Sequence, residues 1–416
     1  MNIFKSLFRS RDKPRNHLTL SNPKGWTGFF GGTTASGKIV NEITAMNVTA
    51  VYACVKVIAE TIASLPLHVY RNSGGDNKIK ATDHPLYNIL HLSPNPDMTA
   101  YIYLETIVTH LLLWGNSYSQ IIRNGLGEVV GLYPLLPSKM IVERDRESGE
   151  LIYNYTTNTG IVRLPKLHVL HIPGLGFDGL VGYSPIHIAR NAIGLSMAIE
   201  EFGSTFFSNG AQPSGILSHP GVLKDHDKLR ESWRQLFSGG NAHSIAVLEE
   251  NMKYQQISIP PNDSQFLESR HFQLEEISRL FRVPLHLVGD LQHATFSNIE
   301  HQSLSFVKFT IAPWLRKLEQ AFQKSLLLPY EQNEMFARFL VDGLLRGDYQ
   351  SRMSGYATGI QNGFLSPNDV RRLENMNLIE DESGDKYYFN GNMLPIELAS
   401  QGINYGAKRK GDDSDE

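Results

Sequence analysis

The chain has 416 residues, 41% hydrophobic and 19% charged, enough for roughly two to four domains with a sizeable core and too apolar for global disorder. Lys+Arg 39 against Asp+Glu 42 leaves a formal net charge of −3; proteins that grip DNA with their whole surface are basic, so any DNA contact here is local or weak. A single cysteine, Cys54, excludes an intrachain disulfide and fits a reducing compartment, and no run of about 18 apolar residues predicts a membrane span.

In chain order, residues 1–40 read as a basic, flexible arm. Lys5, Arg9, Arg11, Lys13 and Arg15 lie at its start, without the apolar segment and cleavage site of a secretion signal. Two roles are open to it: a solvated tail, or a docking arm for an acidic partner. A helix is predicted from Asn47 to Ser64, with Val48, Val51, Val55, Ile58, Ala59, Ile62 and Leu65 at helical spacing. Cys54 falls on that face and reads as a small buried apolar group. Pro66 ends the helix, Leu67–Arg71 reads as a strand, and Thr99–Trp114 as a second apolar helix. Five short strands follow, over 117–123, 129–136, 139–144, 151–156 and 162–172, separated by turn residues such as Asn124-Gly125 and Ser148-Gly149. Strands this short with turns this frequent predict an antiparallel sheet, and the flanking helices make the class α+β.

Ser184-Pro185 is a helix start, with Ser capping free amides and Pro in the first turn. This helix is predicted to reach Ser208 and stop at Asn209-Gly210. It carries two apolar stripes. Ile188, Ala192, Leu195, Ile199, Phe202 and Phe206 form one; Ile186, Ala189, Ile193 and Met197 form the other. Two stripes need cover on two sides, and a neighbouring subunit could supply one of them. Further on, Lys224–Phe237 reads as a charged helix and Ser244–Leu248 as a strand. A helix opens at Asp263-Ser264 and runs to Arg282, and a polar segment, Val288–Asn298, leads to a long helix, Ile299–Leu326. Pro313 lies inside that helix and predicts a kink, because it removes one hydrogen bond and crowds the carbonyl of Phe309. Leu340–Asn375 reads as a small helical unit, and the charged tail beyond Gln401 as disordered.

Chemistry-bearing motifs are weak. Gly32 to Lys38 matches most of a P-loop, but Ile39 stands where Ser or Thr should bind magnesium and no clear helix opens at Lys38. His168 and His171 sit in a segment read as one alternating strand, pointing to opposite faces. His286, His293 and His301 straddle a loop without clustered carboxylates or thiols. Ser184 and Ser214 occupy capping and turn contexts, with no Gly-x-Ser-x-Gly elbow. Neither catalytic residues nor a metal or other cofactor is expected.

Taken in order, several segments resemble the portal proteins of long-tailed bacteriophages, of the HK97-like kind. They are Thr44-Ala45-Met46, Val51–Val55 with Leu65–Leu67 and Val69–Arg71, Gly115–Tyr118, Leu132–Ser138, Gly174–Pro185, Phe206–Leu217 and Phe389–Pro395. The resemblance covers roughly residues 40–398. It implies the α+β portal fold: an antiparallel-sheet wing (41–183), a stem helix (184–210), a small clip (211–262), a second stem helix (263–283), a tunnel loop with a long kinked helix (284–330), and a wing completion with a helical crown (331–398), then a charged tail (399–416). It implies a mechanical role rather than catalysis: a homo-oligomeric ring, twelve subunits in such portals, at one capsid vertex of the virion, assembled in the host bacterial cytoplasm. Double-stranded DNA would pass non-specifically through its channel during packaging and ejection. Implied partners are terminase, the capsid or scaffold protein and the head–tail connector, with no membrane. On this reading the channel loop is carried by Gln292, His293, Thr295, Ser297 and Asn298, and the subunit interface of the stem by Ile188, Leu195, Ile199, Phe202 and Phe206. The stretch Gly289–Asn298 holds no Lys or Arg, which suits a channel that must touch DNA without retaining it, and Asp290 is expected to repel phosphate. A P-loop ATPase of packaging, carried by Gly32–Lys38, and a non-ring structural adaptor are the competing readings.

Overall fold

The computed structural model describes residues 34–388, except 73–77, 146–147, 209–214, 219–227, 229–251, 257–262, 293–295, 342–343, 345–348 and 375. The basic arm up to residue 33, the segment 389–395 and the charged tail therefore lie outside the described residues. So do the helix expected over 224–237, Lys228 apart, and the strand expected over 244–248. The chain divides into two compact units, Met1–Leu340 and Val341–Glu416.

In the first unit, a short helix α1 (Glu42–Ala45) leads into α2 (Thr49–Ala63). Helix α2 buries Val51, Cys54, Val55, Ile58, Ala59 and Ile62, the residues that recur at 3.6-residue spacing. It packs on α4 (Ala100–Trp114), which is buried along most of its length. Burial pushes the Cys54 thiol up to about 11, so this side chain is packing and not a nucleophile. Pro66 ends α2, and β1 (Leu67–Asn72) follows as the middle strand of a sheet. Its neighbours are β2 (Lys78–Lys80) and, from the far end of the unit, β11 (Met335–Phe339), in antiparallel register Leu67↔Phe339 to Arg71↔Met335. A seven-residue helix, α3 (Pro85–His91), lies between β2 and α4.

The expected strand region forms two antiparallel sheets. Strands β3 (Asn116–Arg123), β4 (Val129–Leu135) and β8 (Val169–Pro173) make one; β5 (Met140–Arg144), β6 (Leu151–Thr157) and β7 (Gly160–Pro165) make the other. The strand expected over 162–172 is thus two strands in two sheets, divided by a 3-10 turn at Lys166–His168, so His168 and His171 do not share a strand. Tyr118, Leu135, Met140, Val142, Tyr153, Val169 and Val181 pack together between the sheets.

The helix expected from Ser184 to Ser208 is broken at Ala189 into α5 (Pro185–Ile188) and α6 (Arg190–Ser208). A two-stranded ribbon, β9 (Gly215–Ser218) with β10 (Lys253–Gln256), is the described part of the region after it. Next come α7 (Asp263–Phe281), α8 (Phe296–Phe306) and α9 (Ala312–Leu326). The predicted break near Pro313 takes a specific form. Val307–Ile311 is a π-helical turn, and the Ala312 N–H reaches back five residues to the Val307 carbonyl. One extra residue in the turn spares the proline ring its clash with the preceding ladder. Val307, Ile311, Leu315, Leu318 and Phe322 are buried as expected, whereas Leu304 is exposed.

In the second unit, α10 (Tyr349–Gln361) and α11 (Pro367–Leu373) are tied by Arg352 and Tyr356, each 2.8 Å from the Glu374 carboxylate. Ser366 and Asp369 close a capping box at the start of α11, and the buried Asn368 amide bonds both the N–H and the carbonyl of Ile379.

Candidate functional site

The segment 174–185 builds a joint between the β4-β3-β8 sheet and α5. Gly115 ends α4 in the left-handed conformation. A Cβ there would lie 1.8 Å from the Tyr183 carbonyl oxygen, and one on Gly182 would lie 2.1 Å from the Gly115 oxygen. Backbone meets backbone at this point, and only hydrogen fits. Asn116 fastens the crossing: its Oδ1 accepts the Gly182 N–H and its Nδ2 donates to the Gly182 carbonyl, both at 2.8 Å. His171 stacks on Tyr118, with ring centroids 4.4 Å apart, and its Nε2 lies 3.2 Å from the same Asn116 Oδ1. Burial holds His171 down at about 3, so it is a neutral structural ring. Ser184 Oγ donates to the Leu113 carbonyl at 2.7 Å and accepts the His187 N–H at 3.2 Å, so this serine is a cap with no nucleophilic role.

From this joint α6 extends with two unlike faces. Ile186 and Ile193 are completely buried. Gly194 meets the Thr34 side chain, and Gly203 meets the Phe266 ring from α7. The other face is open. Ile188, Leu195 and Phe202, spaced by seven, are 58%, 44% and 49% exposed. Ile199 and Phe206 are half-buried, Phe206 stacked on Phe202 at 6.1 Å. Of the five residues expected at a subunit interface, Ile188 ends α5 and the other four lie on α6; Ile188, Leu195 and Phe202 face solvent in the single chain.

The connection between α7 and α8 is built differently. Arg282, a non-glycine with φ of 56°, ends α7. The Arg282 N–H bonds the Arg279 carbonyl and the Val283 N–H bonds the Ser278 carbonyl, the paired bonds of a Schellman cap. Thr310, in the π-turn, donates its hydroxyl to the Arg282 carbonyl at 2.7 Å. His286 lies 3.0 Å from Gln302 Oε1 and 3.2 Å from Ser303 Oγ. Asp290 contradicts expectation: its side chain is only 9% exposed and sits 2.8 Å from Nδ1 of His271 on α7. The carboxylate expected to repel phosphate is engaged within the chain. Beyond the left-handed Gly289, Gln292 is exposed. His293 and Thr295 lie outside the described residues. Ser297 and Asn298, expected in the loop, belong to the first turn of α8, with Asn298 exposed.

The P-loop-like segment has none of that motif's geometry in its described part. Thr34–Lys38 is a tight turn closed by the Thr34 N–H on the Lys38 carbonyl at 2.9 Å. Lys38 forms an ion pair with Glu201 of α6, and no helix opens before Glu42. Among the described residues no group of three or more His, Cys, Asp or Glu could hold a metal ion, and no helix is long and apolar enough to cross a membrane. Sequence reasoning missed the loop anchors His271, His286 and Thr310. Only Pro284, closing α7, signalled that the connection is fixed at its root.

A family model described as "Phage portal protein" matches residues 49–375. The chain is 34% identical over 399 residues to the "Probable portal protein" of Streptomyces phage phiC31, covering 90% of this chain and 83% of that one. It is 32% identical over 367 residues to the "Portal protein" of Enterobacteria phage HK97, covering 87% and 85%. Among solved structures, a chain in the neck of a native gene transfer agent particle, computed with C12 symmetry, superposes with a TM-score of 0.54 at 21% identity, covering 81% of this chain and 93% of that one. That likeness concerns the fold.

Proposed function

The chain belongs to the phage portal protein family and is a portal vertex protein, and from that premise we propose that its copies close into a ring whose channel passes double-stranded DNA. The observation that carries the ring is the open face of α6. Ile188 at the end of α5 and Leu195 and Phe202 on α6, spaced by seven and about half-exposed among the described residues while Ile186 and Ile193 are buried, offer an apolar surface to another chain. The C12 symmetry of the neck holding a similar fold supports twelve subunits. Residues 41–183 serve as wing, 184–210 and 263–283 as stem, 211–262 as clip with the β9–β10 ribbon inside it, 284–330 as tunnel loop and kinked helix, and 331–398 as wing completion and crown.

The ring works mechanically and has no catalytic centre of its own. Gln292, His293, Thr295, Ser297 and Asn298 meet the DNA. A translocation channel gains from contacts that leave no deep electrostatic well, and each Lys or Arg on phosphate would add salt-dependent retention. The anchors at His271, His286 and Thr310 hold the root of the connection, so that whatever moves lies beyond Gly289. Terminase, the capsid or scaffold protein and a head–tail connector are the partners of a ring at a capsid vertex in the virion, assembled in the bacterial cytoplasm.

Negative-stain electron microscopy with mass photometry of the purified protein tests this reading. The expected result is a holed ring with a mass near twelve subunits of 46.7 kDa. A uniform monomer across salt and protein concentration overturns it.

A further inference from the structure

The described residues begin at Thr34, against α6 and at the border of its apolar strip. Thr34 is buried, and a Cβ on Gly194 would meet its hydroxyl oxygen at 2.7 Å. The Ala35 N–H faces Asn191 Oδ1 at 3.4 Å, and Lys38 pairs with Glu201. At about 100° per residue, Glu201, Gly194 and Asn191 share one stripe of the helix, and Phe202 and Leu195 follow about 20° and 40° beyond Asn191. The chain therefore enters this unit alongside the exposed side chains. Phe202 stands among rings, stacked on Phe206 and 6.4 Å from Phe266 of α7, and is still 49% exposed.

The sequence just before Thr34 matches that strip in chemistry. Residues 25–33 carry no charge and include Trp26, Phe29 and Phe30. Three aromatic side chains within five residues hold a large apolar area that water does not favour, and rings pack well on rings. Gly31-Gly32 separates them from Thr34, two residues whose backbone can take any turn the approach requires. The reach is sufficient. Phe30 is four residues before Thr34, which allows up to about 14 Å. Leu195 adjoins Gly194, and Phe202 lies about 12 Å from Gly194 along the helix axis.

We propose that in the single chain the strip of Leu195 and Phe202 is covered by that chain's own segment Trp26–Phe30, and that a neighbouring copy displaces the segment on assembly. The first half stands on the contacts at Thr34 and the chemistry of the segment; the second rests on the ring reading. One apolar strip then serves two occupants in turn, and the cover shields it from other apolar surfaces until a subunit arrives.

The test uses full-length protein carrying Phe30→Cys with either Leu195→Cys or Phe202→Cys, oxidised at low concentration. The native Cys54 is buried and stays out of the reaction. The reference pair is Phe30→Cys with Leu126→Cys, exposed between β3 and β4. A disulfide within one chain is expected, formed about tenfold or more faster by one of the first two pairs than by the reference, because a docked segment holds its thiol within bonding distance. Equal rates for all three pairs overturn the proposal. So does a disulfide formed only between differently tagged copies mixed before oxidation, which makes a neighbour's segment the occupant. The oxidised protein is then examined for rings before and after reduction. Rings only after reduction are expected, and rings from locked chains overturn the displacement. If the disulfide forms within one chain and neither locked nor reduced protein gives rings, the cover stands and the ring reading fails.

Discussion

The joint at Gly115–Gly182 and the outer face of α6 are separated by a few residues of chain and are opposite in kind. At the joint, backbone touches backbone, Asn116 holds both polar groups of Gly182, and Ser184 has its donor and its acceptor bonded within the chain. Along α5 and α6 the apolar side chains Ile188, Leu195 and Phe202 are about half-exposed to solvent among the described residues. The first region is closed by contacts within one copy; the second stays partly open among the described residues. The difference teaches that residues 174–206 run from a crossing fixed by backbone contact to a helix whose apolar side chains are partly exposed.

The largest expected effect breaks the crossing. Gly115→Ala places a Cβ 1.8 Å from the Tyr183 carbonyl oxygen, at a residue whose φ is 70°. Main chain cannot yield as a flexible side chain does, so a loss of about 4 kcal/mol or more is expected, read as a fall in the urea midpoint or failure to recover folded protein. Unchanged stability would show that the crossing is looser than its geometry. The second prediction breaks the open face alone. Phe202→Asp should leave the single chain within about 1 kcal/mol of wild type, as for an exposed position. It should abolish rings, because each subunit contact would then bury an unpaired charge at a cost of several kcal/mol. Circular dichroism and mass photometry on one preparation check both halves, and normal rings would place the contact elsewhere.

A third prediction sharpens the contrast through pH. His68 and His110 are buried, and burial holds both near 4, with Lys80 and His91 adding to the effect at His68. An unfolded chain takes up these protons near the ordinary value of about 6.5. Between these two values the unfolded state binds more protons, so stability is full above about 6.5 and declines as pH falls toward 4. At pH 5.5 the loss is about 1.4 kcal/mol for each group. Denaturant midpoints across pH 5 to 7 measure it, and because the buried His171, held down at about 3, contributes alike, His110→Asn should remove roughly a third. A midpoint flat in that range would show that these rings find another proton acceptor on folding.

What was legible follows the same division. Helix α2 with its apolar stripe, the Ser184 cap and the disturbance before Pro313 are local consequences of side-chain period, hydrogen bonding and ring sterics, and each was readable from the residues. Strand β11 was missed because Met335–Phe339 becomes a strand by pairing with β1, more than two hundred residues earlier, and no local pattern announces that partner. The split of 162–172 between two sheets is equally non-local. At the loop, sequence identified residues without Lys or Arg but misplaced three of them. Ser297 and Asn298 are helical, and Asp290 turns back to His271 across a contact that no spacing rule encodes.

The smallest expected effects lie at that loop, between a closed root and an open tip. Thr310→Val removes the hydroxyl that donates to the Arg282 carbonyl at 2.7 Å, at a cost of about 1 kcal/mol. It should therefore change stability slightly and leave the salt dependence of packaging alone. The double variant Gln292→Arg with Ser297→Arg does the reverse. Gln292 is exposed and Ser297 starts α8, so two cations beyond the anchors should not disturb the fold. On a DNA-facing loop they would add up to two phosphate contacts per engaged subunit, steepening the log–log salt slope of DNA retention by about 2 and slowing packaging most at low salt. Packaging rates across a salt series, taken on both variants, distinguish the cases. If Thr310→Val alters the salt slope, the root meets DNA; if the arginine pair does not, the tip does not, and the channel wall must be sought on another element.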